Sequence, residues 1–478
     1  MLRTPPPSRA DVTARPTAAR CGLPLLPALS LLLAAGNLIA QDPQKTADQA
    51  ALERALAELD QPPDPVTATA AQQPIGFNPA APGNFRLFDL SFVLLFAGGG
   101  STEPDDVLGE LFAGGHDPRK RGVTLQNAEL TLQGAVDPYF RTDLHLITFL
   151  DPIEGETVVE LEEAFLTTTS LPDGFEIEAG QFFTEFGRIN PRHNHEWDFL
   201  DTSIVNARFF GADGLRGPGM RAGWLTPLPW FSELHLGFQN ASGETTASFL
   251  ANDEFFEERP IGGRPFQERS TRGLGDLIWL ARWVNGFDLD PNTNVQIGMS
   301  GLFGPNAAGR DTTTTIVGAD FVVRWNDGVG GRQAREILWQ TELMYRSYET
   351  DGFVDEGDPN DPADDVVVDA ATLRDHGLYS QLVVRLSSQW RAGLRYDFAG
   401  GNGMSYDPMA RLLGSRNDDP FRSDRHRITP MLEWAPTHFS RVRLQYSFDH
   451  SKSLDDETAH SLWLGMQVGI GSHAAHAF

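Results

Sequence analysis

The sequence predicts an all-β chain, a transmembrane antiparallel β-barrel of about sixteen strands preceded by a short N-terminal helix. Three observations carry that expectation. The chain opens on an export signal, offers no later stretch apolar enough for a membrane helix, and from Phe85 onward alternates apolar and polar residues in segment after segment. Bulk composition does not decide the matter: 478 residues with 40% hydrophobic content and 47 Gly suit several soluble domains or one large barrel with a polar inner wall.

The export signal comes first. Arg3, Arg9, Arg15 and Arg20 precede an apolar run from Leu23 to Ala35, and Leu38-Ile39-Ala40 sets up cleavage before Gln41. The run contains Pro24 and Pro27 and falls short of the roughly 20 residues that span a bilayer, so residues 1–40 read as a leader rather than an anchor. Cys21, the sole cysteine, sits at the front of that run. The mature chain therefore has no thiol, which excludes disulfides, zinc-thiolate sites and cysteine catalysis.

Residues 41–84 form a separate periplasmic segment. Thr46 and Gln49 have the spacing of a capping box, and Leu52, Leu56 and Leu59 recur at helical spacing through Asp60. One short helix cannot bury that stripe alone, which points to a small coiled coil with symmetry mates or to a frayed helix in a disordered arm. A Pro- and Ala-rich linker from Gln61 to Pro82 follows.

The barrel occupies residues 85–478, and its late strands are the clearest. In 439–449, Val442, Leu444, Tyr446 and Phe448 share one face while Arg441, Arg443, Gln445 and Ser447 share the other. In 390–398, Trp390, Leu394, Tyr396 and Phe398 oppose Arg391, Arg395 and Asp397, and in 461–470 Leu462, Leu464, Met466 and Ile470 oppose Trp463, Gln467 and Gly469. Earlier segments follow the rule: Phe140, Leu144 and Leu146 oppose Arg141, Asp143 and His145, and Phe175 and Ile177 oppose Glu176 and Glu178. Soluble sandwiches also alternate, but their strands run to about 5–6 residues, and barrels that cross a membrane need roughly 9–11. Connections alternate too. Tight links fall at Val136–Pro138, Pro172–Gly174, Ser387–Gln389 and Ala435–His438, and long ones at 98–121, 188–216, 240–273, 347–372 and 399–423. Short periplasmic turns and long extracellular loops give that pattern, and Phe478 would close the last strand as a signal to the barrel-assembly machinery.

Charge narrows the partners. The whole chain carries −27, and residues 1–40 hold four Arg and one Asp, so the mature chain sits near −30 and nucleic acid is excluded. Acidic clusters at Glu103–Asp106, Asp355–Asp365 and Asp418-Asp419 read as solvated loops that could also hold divalent cations bridging lipopolysaccharide.

The run Leu130–Leu146, the step Glu163-Ala164-Phe165 leading into Phe175-Glu176-Ile177-Glu178-Ala179-Gly180-Gln181-Phe182, and the pair Phe186-Gly187 resemble the phosphate-selective porin family, porins O and P. That family has a strand with an Ala-Phe or Ala-Tyr step followed by one ending in Gly-Gln-Phe and Phe-Gly. The likeness covers 125–240 best and is architectural beyond it. It implies a trimeric porin of about sixteen strands, with phosphate as substrate not implied by membership alone.

Chemistry would then sit in two places. The third extracellular loop, 188–216, carries Arg188, Arg192, His193, His195, Glu196, Asp198, Asp201, Arg208 and Asp213. Folded inward it would constrict the pore and set ion preference; folded outward it would cap the mouth. His193-x-His195 with the following Asp198 and Asp201 also has a metal-ligating composition, and His473-x-x-His476 offers a weaker pair. The inward faces form the second place. Glu129, Asp143, Glu160, Glu162, Glu176 and Glu178 fall on early strands, and Arg385, Arg391, Arg395, Arg427, Arg441 and Arg443 on late ones. These read as pore-lining walls on roughly opposite sides, whose transverse field would favour small polar or ionic solutes, with an anion preference kept open by the arginines.

Enzyme motifs are missing: there is no Gly-x-Ser-x-Gly elbow, Walker loop or His-Glu-x-x-His, and no cofactor signature. The sequence therefore predicts a passive porin of the bacterial outer membrane rather than an enzyme. The alternative is a TonB-linked or metal-related outer-membrane uptake protein, but a TonB-linked receptor would require a plug domain ahead of 22 strands, for which residues 41–84 are too few. A non-conducting structural barrel remains a third reading.

Overall fold

The computed structural model describes residues 88–151, 155–328, 335–356, 365–407, 412–414 and 419–471. The leader, the helix at 46–60, the linker, His473, His476 and Phe478 lie outside the described residues.

A strand that is apolar on one face and polar on the other leaves its backbone groups unpaired at each edge, and closure into a barrel removes both edges. The chain does this by pairing each strand with the next. The first seven are β1 (Asp89–Ser101), β2 (Gly122–Ala135), β3 (Phe140–Leu150), β4 (Thr157–Thr168), β5 (Phe175–Phe183), β6 (Arg216–Leu225) and β7 (Phe231–Asn240). They continue into β8 (Leu277–Asp290), β9 (Thr293–Pro305), β10 (Thr313–Asn326) and β11 (Glu336–Thr350). A small hairpin, β12 (Phe353–Asp355) with β13 (Val366–Val368), interrupts the next long loop before β14 (Ala371–Arg385) and β15 (Trp390–Asn402). A second, β16 (Ser405–Asp407) with β17 (Leu412–Gly414), precedes β18 (Arg425–Thr437), β19 (Ser440–Ser451) and β20 (Thr458–Gly471). Leaving out the hairpins, 16 strands close the barrel, with β20 pairing antiparallel to β1 from Ser91↔Gly471 to Ser101↔Ser461. This count is six short of a 22-stranded receptor barrel.

The side-chain distribution is inside-out relative to a soluble sandwich. Leu394, Leu444, Leu462 and Leu464 are 45–53% exposed on the outer surface, whereas Gln445 and Arg395 beside them are at most 1% exposed. An apolar outer band over a closed ladder is what a bilayer requires, and this is the architecture of a bacterial outer-membrane barrel. Aromatic residues ring the rim of short turns, among them Tyr139, Phe175, Phe231, Trp390, Trp434 and Phe439, all exposed.

Two β-bulges break the alternation where it matters for function. The β1–β2 register shifts at Leu95/Phe96, so Gln126 and Asn127 both turn inward. The β3–β4 register shifts at His145/Leu146, so Glu162 and Glu163 are both buried on the lumenal side. A bulge opposes two residues to one and inverts the parity of everything after it.

The interior differs from an all-polar lumen. Ile278, Leu280, Leu302, Ile316 and Met344 point inward from β8 to β11 and form an apolar core with Phe186, Val205, Phe209, Phe210 and Phe249 from the long loops. Within this core lies the short helix α2 (Ile204–Phe210), every residue of which is buried; Ser203 caps it by accepting the Asn206 N–H, and Gly211 ends it at φ +87. Another short helix, α1 (Asp105–Leu111), packs Leu108 and Leu111 with Phe112 against Leu200 and Trp463. Room for the loop comes from missing side chains: a methyl at Gly465 would overlap Leu200, and one at Gly318 would overlap Phe186.

Candidate functional site

The loop between β5 and β6, residues 184–215, starts four residues earlier than the sequence suggests and lies inside the barrel. It is fastened at three places. At its start, the Gly187 N–H donates to Ser300 Oγ (3.2 Å), the Arg188 N–H to Glu342 Oε2 (3.3 Å) and Arg188 Nη1 to Gln296 Oε1 (3.0 Å), which ties it to β9 and β11.

Its middle rests on the acidic strands. A 3₁₀ turn, Asn194–Glu196, is held by Asn127 Nδ2 donating to Asn194 Oδ1 (2.6 Å) and presents the histidines on either side. His193 Nδ1 lies 2.6 Å from Glu162 Oε2 and His193 Nε2 2.9 Å from Glu163 Oε2. His195 Nδ1 lies 2.8 Å from Glu129 Oε2, and His145 Nδ1 of β3 lies 3.0 Å from Glu129 Oε1. The His145 and His193 rings stack at 4.3 Å, and Phe183 meets His193 edge-on at 5.5 Å. Burial by itself would lower the basicity of His193, but Glu162 and Glu129 outweigh it and hold the imidazole well above its ordinary range. Each ring nitrogen of His193 thus faces a carboxylate.

Five residues on, the loop meets the arginines. Asp201 Oδ2 accepts from Arg395 Nη2 (2.8 Å) and Arg427 Nη1 (2.6 Å), and its Oδ1 accepts from Gln445 Nε2 (2.5 Å). Asp198 pairs with Arg391; burial would raise its carboxyl, but the guanidinium outweighs that and holds it below the usual range. Arg443 Nη1 donates to the carbonyls of Trp197 (2.8 Å) and Phe199 (2.9 Å), and Arg441 donates to the carbonyl of His195. The same arginines also meet strand acids: Arg395 pairs with Asp397 (2.8 Å), Arg427 with Asp449 (2.9 Å) and Arg391 with Glu433 (3.2 Å).

The two walls thus differ from the expectation. In barrel order only β20 and β1 separate β19 from β2, so the arginine and acid faces are not placed opposite one another throughout, and residues 193–201 bridge between them. Nor do Glu129, Arg395, Arg427 and Arg443 border open lumen; each is at most 1% exposed beneath the loop. The physical reason is that the loop supplies the counter-charges and carbonyl acceptors that mobile ions and water would supply in a wide pore. Asp143 lies 3.9 Å from Arg141, Glu160 pairs with Arg216, and Glu178 accepts from Arg221 (3.0 Å). Glu176 is half-buried near the short-turn rim, where Arg385 pairs with Glu336 at 3.2 Å. Arg192 gives its carbonyl to Trp197 Nε1, Arg208 donates to the carbonyls of Ser423 and Pro420, and Asp213 lies 3.8 Å from His116.

Glu163 and His145 belong to this site and were not singled out by sequence reasoning. Period-2 parity puts Glu163 on the lipid face; only the bulge turns it inward, and two consecutive glutamates in a membrane strand are the signal that could have shown it.

No family model matches the chain. Solved structures with a similar fold include the outer membrane channel DcaP of Acinetobacter baumannii, with 12% identity, 80% of this chain and 97% of that chain covered and a TM-score of 0.47. Another is the anion-selective porin from Comamonas acidovorans, with 9% identity, coverage of 80% and 98% and a TM-score of 0.44. In sequence, the chain is 30% identical over 439 residues to an uncharacterized protein of Aquifex aeolicus (strain VF5), spanning 86% of this chain and 84% of that one. At that identity over most of both lengths, the chain belongs to the same family as the Aquifex aeolicus protein.

Proposed function

We propose that the protein is an outer-membrane channel for passive diffusion of small polar or ionic solutes, narrowed by the loop at 184–215. The observation that carries this reading is a closed barrel, apolar outside, whose lumen is crossed by a charged loop anchored to three sectors of the wall. Arg188, Arg192, His193, His195, Asp198 and Asp201 are its constriction residues. An anion preference, phosphate included, would rest on Arg391 and Arg441, which stay 24% and 17% accessible near the short-turn rim although Arg391 also meets Asp198 and Glu433 and Arg441 meets Glu433. The family resemblance supports a homotrimer, and the acidic loop clusters support contact with lipopolysaccharide through divalent cations.

A second reading, a non-conducting structural barrel, is favoured by the burial of Asp201, Arg395 and Arg427 and by the apolar core around α2. Single-channel recording in a planar bilayer, with reversal potentials in a salt gradient, separates the two. Small ohmic steps support the channel, and a silent barrel establishes the structural reading. Arg391→Ser with Arg441→Ser should move the reversal potential toward cation preference; no movement removes these residues from the pathway.

A further inference from the structure

We propose that Glu129, Glu162, His193 and His195 bind a divalent transition-metal ion inside the barrel, with Glu163 orienting His193, and that the ion fastens the loop to β2 and β4. Ligand atoms of Glu129, His193 and His195 lie within 4.8 Å of one another, all three residues buried. Glu162 Oε2 is 2.6 Å from the same His193 Nδ1 that faces Glu129 Oε1 at 3.8 Å, and His145 Nδ1, 3.0 Å from Glu129, adds a further donor. Mixed imidazole and carboxylate donors suit zinc, nickel, cobalt or copper better than calcium or magnesium, which take oxygen alone.

The surroundings have the form of a metal site's outer layer. Glu163 accepts from the far nitrogen of His193 at 2.9 Å and is itself held by the Phe183 N–H at 2.8 Å, the carboxylate–histidine pairing that fixes a ligand ring. Thr131 Oγ1 donates to Glu129 (3.0 Å), and Asn127 fixes the turn between the two histidines.

Charge balance points the same way. On the arginine side Asp201, Asp397, Asp449 and Glu433 each meet at least one guanidinium. Among the described residues, the charged partners of Glu129, Glu162 and Glu163 within 4.0 Å are all histidines. All three carboxylates are under 10% exposed, and among the described residues none of them meets a guanidinium or ammonium group. An uncompensated buried charge is costly, and a divalent cation supplies on this wall what the guanidinium groups supply on the other.

The test uses the full chain in detergent after chelation, titrated with Zn(II) by calorimetry and with Co(II) by visible absorption. One ion per chain is expected, with ligand-field bands of an N/O site. His193→Ala with His195→Ala should weaken binding at least ~100-fold, and the isosteric Glu163→Gln by roughly 10- to 100-fold with a shifted Co(II) spectrum. His438→Ala, exposed on a short turn, should leave both unchanged. Folding of each variant is read by heat-modifiable gel migration; if the double variant fails it, Glu163→Gln decides. Absence of stoichiometric binding in the unaltered protein, or undiminished binding in a folded variant, overturns the site. Neither readout involves conduction, so failure here leaves the channel reading standing, and the reverse.

Discussion

Asp201→Asn isolates one buried anchor of the loop. The carboxylate is fully buried, bonded to two guanidinium groups at 2.6 and 2.8 Å and to Gln445. Removing one partner from a buried ion pair costs about 3–5 kcal/mol. Here Arg395 keeps Asp397 and Arg427 keeps Asp449, so neither cation is stranded and the lower end, about 3 kcal/mol, applies. The backbone ladder of the barrel does not run through Asp201, so the cost falls on the loop and not on the sheet. At 1.4 kcal/mol per tenfold, amide exchange protection in 197–206 should drop roughly 100-fold, while β9 and β10 keep theirs. The assay is hydrogen exchange by mass spectrometry on the protein in detergent. Unchanged loop protection, or an equal loss across the strands, would refute the argument that this carboxylate anchors the loop.

Gly465→Val forces a side chain into Leu200, and overpacking of this kind costs typically 1–3 kcal/mol; the barrel should still show heat-modifiable migration while protection is lost in 198–202. Burial first, then the charge of Asp201, push the Asp117 carboxyl up to about 7. Its folded pKa lies above the unfolded value near 3.9, so its contribution is complete below about pH 4 and disappears as pH rises through about 7. After correction for intrinsic exchange, protection at 200–204, where the Thr202 N–H donates to Asp117, should therefore fall between about pH 4 and 7 and become flat in Asp117→Asn. Trp463→Ala removes the indole against which Phe112 packs at 5.8 Å and should cost about 3–5 kcal/mol of local stability, read as faster exchange in 105–112; exchange unaltered there would show that α1 is held by other contacts.

Which residues face lipid and which face inward was legible in β15, β19 and β20, because a strand's side-chain period is 2 whatever it packs against. So were the strand count and the alternation of short turns with long loops, since both are local properties of the chain. The parity rule failed at Gln126 and Glu163, where a bulge inverted it, and only the paired glutamates at 162–163 carry a trace of that in the sequence. Ile278, Leu280 and Leu302 were invisible as lumenal core, since an inward apolar residue has a purpose only once a distant loop covers it. The charged residues of 184–215 and of the walls could be named from sequence, but not paired. Asp201 lies 194 and 226 residues from Arg395 and Arg427, and ion pairs at that separation are set by barrel closure and loop trajectory. Sequence alone determined a barrel with a charged loop beside charged walls. Tertiary structure alone decided that the loop lies between them, supplying the arginines with carboxylates and gathering three histidines against three glutamates, because only closure brings β2 to β4 and β15 to β19 within reach of nine consecutive residues.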